Sequence, residues 1–95
     1  MFPIEGSEIR GIEVGAISME IMDENRHRGD AYFTNDSDWV IYLARGEDAV
    51  VGSGPRLNPN GGSWEIHTWN MWYGKVYAIA DEQGKCNISM MEGTI

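Results

Sequence analysis

The chain has 95 residues, of which 42% are hydrophobic and 11% aromatic, so it suits one folded domain and is too apolar to be disordered. Its 15 acidic and 7 basic residues give a formal net charge of −8, and this scarcity of Lys and Arg argues against nucleic acid as a partner. Because a chain of this size buries only about 60–65% of the surface that its unfolded form exposes, we expect help from oligomerisation or from docking onto a larger body.

The sequence carries no signal for secretion or for a membrane. Residues 1–6 lack the basic segment and apolar run of a signal peptide, and no apolar run reaches the roughly 20 residues of a membrane span. We therefore expect a protein without a membrane partner, used where it is made or carried elsewhere by assembly.

Cys86 is the only cysteine, which excludes an internal disulfide and a cysteine-based zinc site. It alternates with Ile88 and Met90 along the chain. This pattern predicts that Cys86 acts as a small buried hydrophobic side chain.

Residues 1–10 predict an extended N-terminal arm, followed by a single β-sandwich domain over residues 11–95. The arm is mixed in polarity and contains Pro3. Phe2 and Ile4 are apolar residues of the arm, and they could pack on the protein's own sheet or on a neighbouring molecule.

Residues 11–22 form the longest predicted strand. The apolar residues change parity beside Gly15, since Ile12 and Val14 are even-numbered and Met19 is odd-numbered. Because side chains alternate between the two faces of a strand, this change predicts either a β-bulge or a switch between two sheets.

Residues 23–30 predict a polar turn. They include Arg28-Gly29-Asp30, which spells an integrin-binding tripeptide. Three letters recur by chance and a turn needs the glycine, so a simple loop is the favoured interpretation.

The middle of the chain predicts short strands over residues 31–35 and 39–44. The residues between them, Asn35-Asp36-Ser37-Asp38, favour local hydrogen bonds of a turn. A mobile connection is predicted over residues 46–54.

The segment from Asn58 to Gly62 predicts a tight turn. Pro59 fixes φ and removes a hydrogen-bond donor, and the Asn60-Gly61-Gly62 sequence that follows accepts the positive φ values of such a turn. The next residues alternate in polarity and predict a strand over 63–68.

Two further strands, over residues 75–80 and 86–92, complete the pattern. Short strands with turn signals every 8–12 residues or so indicate an all-β fold, either a small antiparallel β-sandwich or a jelly-roll-like barrel of six to eight strands. The predicted core residues are Ile41, Leu43, Trp64, Ile66, Ile79 and Ile88.

No residue pattern indicates catalysis, a metal or a cofactor. His27 and His67 lie far apart in the sequence without a second ligand beside either, and the acidic residues of 36–48 match no calcium loop. Ser53 lies between two glycines but outside a nucleophile-elbow motif. We therefore expect a binding or structural protein rather than an enzyme.

The segment of residues 64–73 has the most unusual composition, because it contains a cluster of aromatic residues. Trp64 belongs to the alternating strand, whereas Trp69 and Trp72 fall in a predicted loop with Met71. Three interpretations remain open for the loop: a lid over the end of the sandwich, a protein interface, or a platform that stacks on carbohydrate.

Six segments resemble turn and strand motifs of a known group of proteins and follow one another in the same order along the chain. The segments are Asn25-Arg26, 33–38, 40–44, 56–66, 73–80 and 88–92. Together they cover roughly residues 25–92 and resemble small structural proteins of tailed bacteriophages. The shared motifs are turn and core motifs, so they speak for the fold more than for a site.

The resemblance implies a virion component assembled in the host cytoplasm. The first candidate function is that of a capsid decoration protein, which stabilises the head by binding at capsomer junctions. The alternative is a tail- or fibre-associated module that binds carbohydrate or a receptor. The implied partners are the major capsid protein or another virion protein, together with further copies of the chain, with a trimer favoured by the symmetry of capsid lattices.

The predicted partner-binding residues are the large apolar side chains of the arm and of the aromatic loop. A 95-residue sandwich cannot easily bury them by itself, and exposed apolar patches usually mark interaction surfaces. These residues are Phe2, Ile4, Trp69, Met71, Trp72 and Tyr73.

Overall fold

The computed structural model describes residues 3–81 and 86–95, and in this part of the chain it is all-β, without an α-helix. The strands are β1 (Gly6–Val14), β2 (Met19–Met22), β3 (Arg28–Asn35), β4 (Ile41–Arg45), β5 (Arg56–Leu57), β6 (Ser63–Ile66), β7 (Val76–Ala80) and β8 (Cys86–Thr94). A short 3₁₀ helix, Thr68–Asn70, lies between β6 and β7. The predicted fold class is confirmed.

The strands form two four-stranded antiparallel sheets. Sheet A has the order β1-β8-β3-β6, and sheet B has the order β2-β7-β4-β5. The pairs β4 with β5, β3 with β6, β2 with β7 and β1 with β8 are nested within one another along the chain. The chain is therefore one long hairpin wound into two facing sheets, which is the arrangement of a jelly roll.

The parity change beside Gly15 is a switch between the two sheets. β1 ends in sheet A at Val14, and β2 starts in sheet B at Met19. The Ala80 N–H of β7 donates to Gly15 O at 2.9 Å and holds the crossing point.

The first strand begins earlier than the sequence indicates. Residues 6–10 are extended, as predicted for the arm, but they form the first half of β1 and pair with β8 from Gly6 opposite Thr94 onwards. Only the backbone pairing with a strand some 80 residues away distinguishes them from a free arm, and no local pattern reports that pairing.

The core lies between the two sheets. Four of the predicted core residues are fully buried: Ile41, Leu43, Ile66 and Ile88. Trp64 is half-buried and packs against Phe33, with ring centroids 5.8 Å apart. Cys86 is a fully buried member of the core, as predicted.

Ile79 is the core prediction that was wrong. β7 is apolar at every position, so its alternation does not say which face is inside. The register places Ala78 between Met19 and Leu43 on the neighbouring strands. The small alanine fits between these two larger side chains, and Ile79 therefore points outward with Tyr42.

One end of the sandwich, which we call the asparagine end, is formed by residues 15–18, 36–40 and 58–62. The Asn60 N–H donates to Ser37 O at 2.8 Å and joins two of these loops. Asn60 and Gly61 have φ values of 57° and 118°, as the predicted tight turn requires. The buried Asn35 amide donates to Leu57 O at 3.0 Å, so this end is closed largely by polar contacts within the chain.

The other end, which we call the tryptophan end, is formed by residues 3–5, 23–27, 67–75 and 95. The Asn25 N–H donates to Tyr73 O, and the Ile95 N–H donates to His27 O, each at 2.8 Å. Residues 3–5 of the predicted arm and the predicted aromatic loop therefore lie at the same end of the fold.

A candidate docking surface at the tryptophan end

The tryptophan end is organised around the fully buried side chain of Arg28. Its Nε donates to Glu92 Oε2 at 2.7 Å. Its two other nitrogens donate to three backbone carbonyls, those of Trp72 at 2.6 Å, Gly74 at 3.1 Å and Asp23 at 2.6 Å. One guanidinium thus fixes two loops to sheet A, because its planar fork offers several donors in fixed directions.

This arrangement corrects the prediction of a polar turn over residues 23–30. The turn ends before Arg28, which starts β3 as a buried residue, so Arg28-Gly29-Asp30 is a strand segment and not a loop. Its partner Glu92 lies 64 positions along the chain. No sequence signal connects two residues so far apart, and a lone arginine in a polar segment reads as exposed.

Ile4 packs on the protein's own fold. A Cβ on Gly29 would overlap Ile4 Cδ1, and a Cβ on Gly93 would lie 3.0 Å from Ile4 Cγ2. The two glycines therefore leave the space that Ile4 covers, which is the first of the two alternatives predicted for the arm. Phe2, the other predicted contact of the arm, lies outside the described residues.

Trp69 is held on a turn of fixed geometry and projects into solvent. The Trp69 N–H donates to His67 Nδ1 at 3.2 Å, and the His67 N–H donates to Asn70 Oδ1 at 2.7 Å. The Asn70 amide in turn donates to Glu65 O at 2.9 Å. The Trp69 side chain is nevertheless 91% exposed.

Met71 and Trp72 face the opposite way and are half-buried against the core cluster. The Trp72 Nε1–H donates to Lys75 O at 2.9 Å, and the Arg45 guanidinium lies 5.6 Å from the Trp72 ring centroid. These two residues act as a lid on the end of the sandwich, which is one of the three interpretations of the loop.

The aromatic loop therefore divides into an inner and an outer part. Met71 and Trp72 have partners within the fold, whereas Trp69 and Tyr73 leave aromatic surface exposed. Alternation in the sequence could not separate the two sets, because the 3₁₀ turn breaks the period of two after Ile66.

A second exposed apolar feature, which no pattern in the sequence indicates, crosses the outer face of sheet A. Met91 of β8 lies directly opposite Ile9 of β1 on one side and Tyr32 of β3 on the other. Ile9 is 79% exposed, and Met91 and Tyr32 are each 39% exposed. We call these three residues the outer row. The assignment of residues 6–10 to an arm hid it, since the row exists only once β1 joins the sheet.

The described residues contain no group of three or more His, Cys, Asp or Glu side chains placed to hold a metal ion. Lys75 Nζ lies 3.1 Å from Glu20 Oε1, and this hydrogen bond and charge raise the pKa of Lys75 above its ordinary value. Both side chains of this pair are exposed. Over residues 3–81 and 86–95 no helix is long and apolar enough to cross a membrane.

No protein-family model, curated protein or solved structure matches this chain. The resemblance to phage structural proteins thus depends on the turn and strand motifs alone, and the function that it implies stays a prediction.

Proposed function

We propose that this protein is a non-enzymatic attachment module of a bacteriophage virion, which decorates the head by binding at capsomer junctions. The observation that supports the proposal most strongly is the 91% exposed side chain of Trp69 on its hydrogen-bonded turn. A tryptophan that the fold displays rather than buries is typical of the anchor of a protein interface.

The energy available from this one side chain is substantial. Burying an aromatic residue removes roughly 150–250 Å² from water, which is worth about 4–6 kcal/mol at about 25 cal/mol per Å² before the costs of association. Because the hydrogen bonds of His67 and Asn70 already fix the turn, little backbone conformational entropy remains to be lost on binding. Repeated over many copies, such contacts can stabilise a shell.

The choice of a virion follows from the sequence resemblance and agrees with the strand order. Jelly rolls recur in viral capsid domains and also in lectin domains. A fold alone does not fix a function. The resemblance is what supports a virion as the assembly, and the exposed Trp69 is what supports the tryptophan end as the docking surface. The net charge of −8 would serve solubility and steering before docking.

The second candidate is a tail- or fibre-associated module that binds carbohydrate or a receptor. Trp69 and Tyr73 both leave aromatic surface exposed at the tryptophan end, and exposed rings are suited to stacking on sugars. Such a module would bind its ligand as a purified protein, without a capsid. A decoration protein would bind particles and show no affinity for glycans.

The test compares two tryptophan substitutions in particles assembled with the protein. Trp69→Ala should reduce occupancy on purified virions, measured by mass spectrometry, with an affinity loss of about 30-fold or more. Trp39→Ala is the matched control, since Trp39 is 45% exposed at the opposite end of the sandwich. It should leave occupancy unchanged.

Three results would overturn the proposal. They are absence of the wild-type protein from purified particles, equal effects of the two substitutions, and glycan binding by the free protein that Trp69→Ala abolishes. The last result would establish the carbohydrate-binding candidate instead.

A further inference from the structure

β1 is a long strand at the edge of sheet A. It pairs with β8 along nine residues, and none of the described strands pairs with its other side. An edge of this length presents a row of unpaired backbone N–H and C=O groups, which is a template for another strand. Natural proteins usually shorten or bend such an edge.

The first half of β1 also overhangs the core. Glu8 and Arg10 lie on the inner side of sheet A, where their neighbours Glu92 and Met90 on β8 are buried. Glu8 and Arg10 are nevertheless exposed, so sheet B does not extend beneath this part of the strand. Ile9 between them points to the opposite face and is 79% exposed.

We propose that two copies of this chain pair antiparallel through β1, with a two-fold axis through Ile9. In that register the residue numbers of each facing pair, one from each copy, add up to 18. Ile9 then faces Ile9 of the second copy, and Glu8 of each copy faces Arg10 of the other. A two-fold contact repeats every interaction, so the edge carries two opposite-charge pairs around one apolar pair.

Charge selects this register over its neighbours. Moving the axis by one residue toward the C-terminus would place Arg10 opposite Arg10, and moving it by one residue toward the N-terminus would place Glu8 opposite Glu8. Cross-strand partners of like charge are destabilising. The two adjacent registers with an odd sum, 17 and 19, would turn the second copy's outer face to the other side and would place Ile9 opposite Glu8 or Arg10.

Pairing also completes the apolar surface of the sheet. The outer rows of the two copies join into one row of six side chains, Tyr32, Met91 and Ile9 from each copy, across an eight-stranded sheet. At the two margins Glu5 would face Glu13, both exposed, so salt should strengthen the margins while it weakens the central pairs. The edge contact closes with two copies, so it favours a dimer over the trimer implied by the resemblance. It does not depend on what Trp69 binds.

Charge reversal in the full chain tests the register directly. We expect Glu8→Arg alone and Arg10→Glu alone each to raise the dissociation constant of the dimer about tenfold or more, measured by sedimentation equilibrium, because each faces two pairs of like charges. The double variant Glu8→Arg/Arg10→Glu should recover the wild-type value. An equimolar mixture of the two single variants should form a heterodimer, since both pairs between positions 8 and 10 are then opposite in charge.

Two controls separate the edge from general effects. Glu65→Arg and Arg26→Glu make the same charge changes at exposed positions away from β1 and should leave the dissociation constant unchanged. Ile9→Ser should weaken the dimer, whereas Ile17→Ser should not, although Ile17 is 83% exposed. Melting curves of all variants confirm that the domain remains folded.

A cross-link gives the register independently of affinity. Ile9→Cys should form a disulfide between copies under mild oxidation, because directly opposite residues of antiparallel strands have Cα atoms about 4.5–5.5 Å apart, within the range that a disulfide spans. Ser7→Cys should not, since position 7 faces position 11. A wild-type protein that is monomeric at every concentration, a trimer, or a dimer unaffected by the charge reversals would overturn the proposal.

Discussion

The outer faces of the two sheets arise from the same alternation and meet different environments. In sheet A the outer row of Ile9, Met91 and Tyr32 is left exposed. In sheet B the outward side chains Tyr77 and Ile79 of β7 are half-buried. Strand pattern alone would make both faces equally open.

The segment of residues 46–54 is hydrogen-bonded to residues that precede two strands of sheet B, β7 and β2. The Gly46 N–H donates to Lys75 O at the start of β7, and the Ala49 N–H donates to Ser18 Oγ at the start of β2. Because β7 lies between β4 and β2, we infer that the segment crosses the outer face of β7 to reach Ser18. Ala49 is buried where the segment ends its crossing.

The two sheets thus differ in how much outward apolar surface the rest of the chain covers. On the inferred path, residues 46–54 cross the outer face of β7 in sheet B, whereas the three residues of the outer row in sheet A remain exposed. Of the two outer faces, that of sheet A therefore leaves more apolar surface exposed.

Both faces depend on a common interior, which Arg28 closes at the tryptophan end. Arg28→Met should reduce the free energy of unfolding by about 3–5 kcal/mol in urea denaturation, because it leaves the carboxylate of Glu92 nearly buried and without its partner. The double variant Arg28→Met/Glu92→Met removes both charges and should recover part of the loss. A single-variant loss below about 1 kcal/mol would show that water or the loops replace the ion pair.

Three isoleucine-to-alanine substitutions measure the faces themselves. Ile66→Ala in the core should lower the free energy of unfolding by about 2–5 kcal/mol. Ile79→Ala, on the outer face that residues 46–54 cross, should lower it by about 1–2 kcal/mol. Ile9→Ala on the open face should change the stability of the monomer by less than about 0.5 kcal/mol. Urea denaturation at low protein concentration gives all three values. Equal costs at Ile79 and Ile9 would contradict the distinction between a covered and an open face.

The attachment of residues 46–54 to sheet B should depend on Ser18. Ser18→Ala removes the acceptor of the buried Ala49 amide and should cost about 1 kcal/mol, with faster hydrogen exchange at that amide. Ser53→Ala in the same segment is the control and should have no effect on either measurement. Unchanged exchange at Ala49 in Ser18→Ala would show that apolar contacts alone hold the segment down.

The exposed pair of Lys75 and Glu20 should contribute least. Because the folded protein raises the pKa of Lys75, any stabilisation is complete below the ordinary lysine pKa and is lost as the pH rises through the raised value. Lys75→Met should therefore melt close to the wild-type temperature at neutral pH, and any difference should vanish in strongly alkaline buffer or high salt. A large loss at neutral pH would mean that the Lys75 side chain also holds the aromatic loop.

The candidate site was predicted in part. The arm and the aromatic loop were both expected to carry partner contacts, and the fold brings Ile4 and the loop to one end. Within the loop, the sequence could not distinguish the exposed Trp69 from the half-buried Trp72. The difference depends on hydrogen bonds that the two residues donate, Trp72 to Lys75 O and Trp69 to His67 Nδ1, and these form only in the folded loop. The outer row could not be seen, since its three residues come from three strands that are distant in the chain.

Local chemistry determined the elements of this protein. The turn around Asn60 follows from backbone preferences of a few neighbouring residues, and the strands follow from a period of two in polarity, so both are legible without the fold. Only the tertiary structure decided which face of each strand is inside, as Ile79 shows, because that choice depends on the size of the side chains on the neighbouring strands. It also decided the burial of Arg28, since its partner Glu92 lies 64 positions away, and an ion pair of that separation exists only when the sheet has formed.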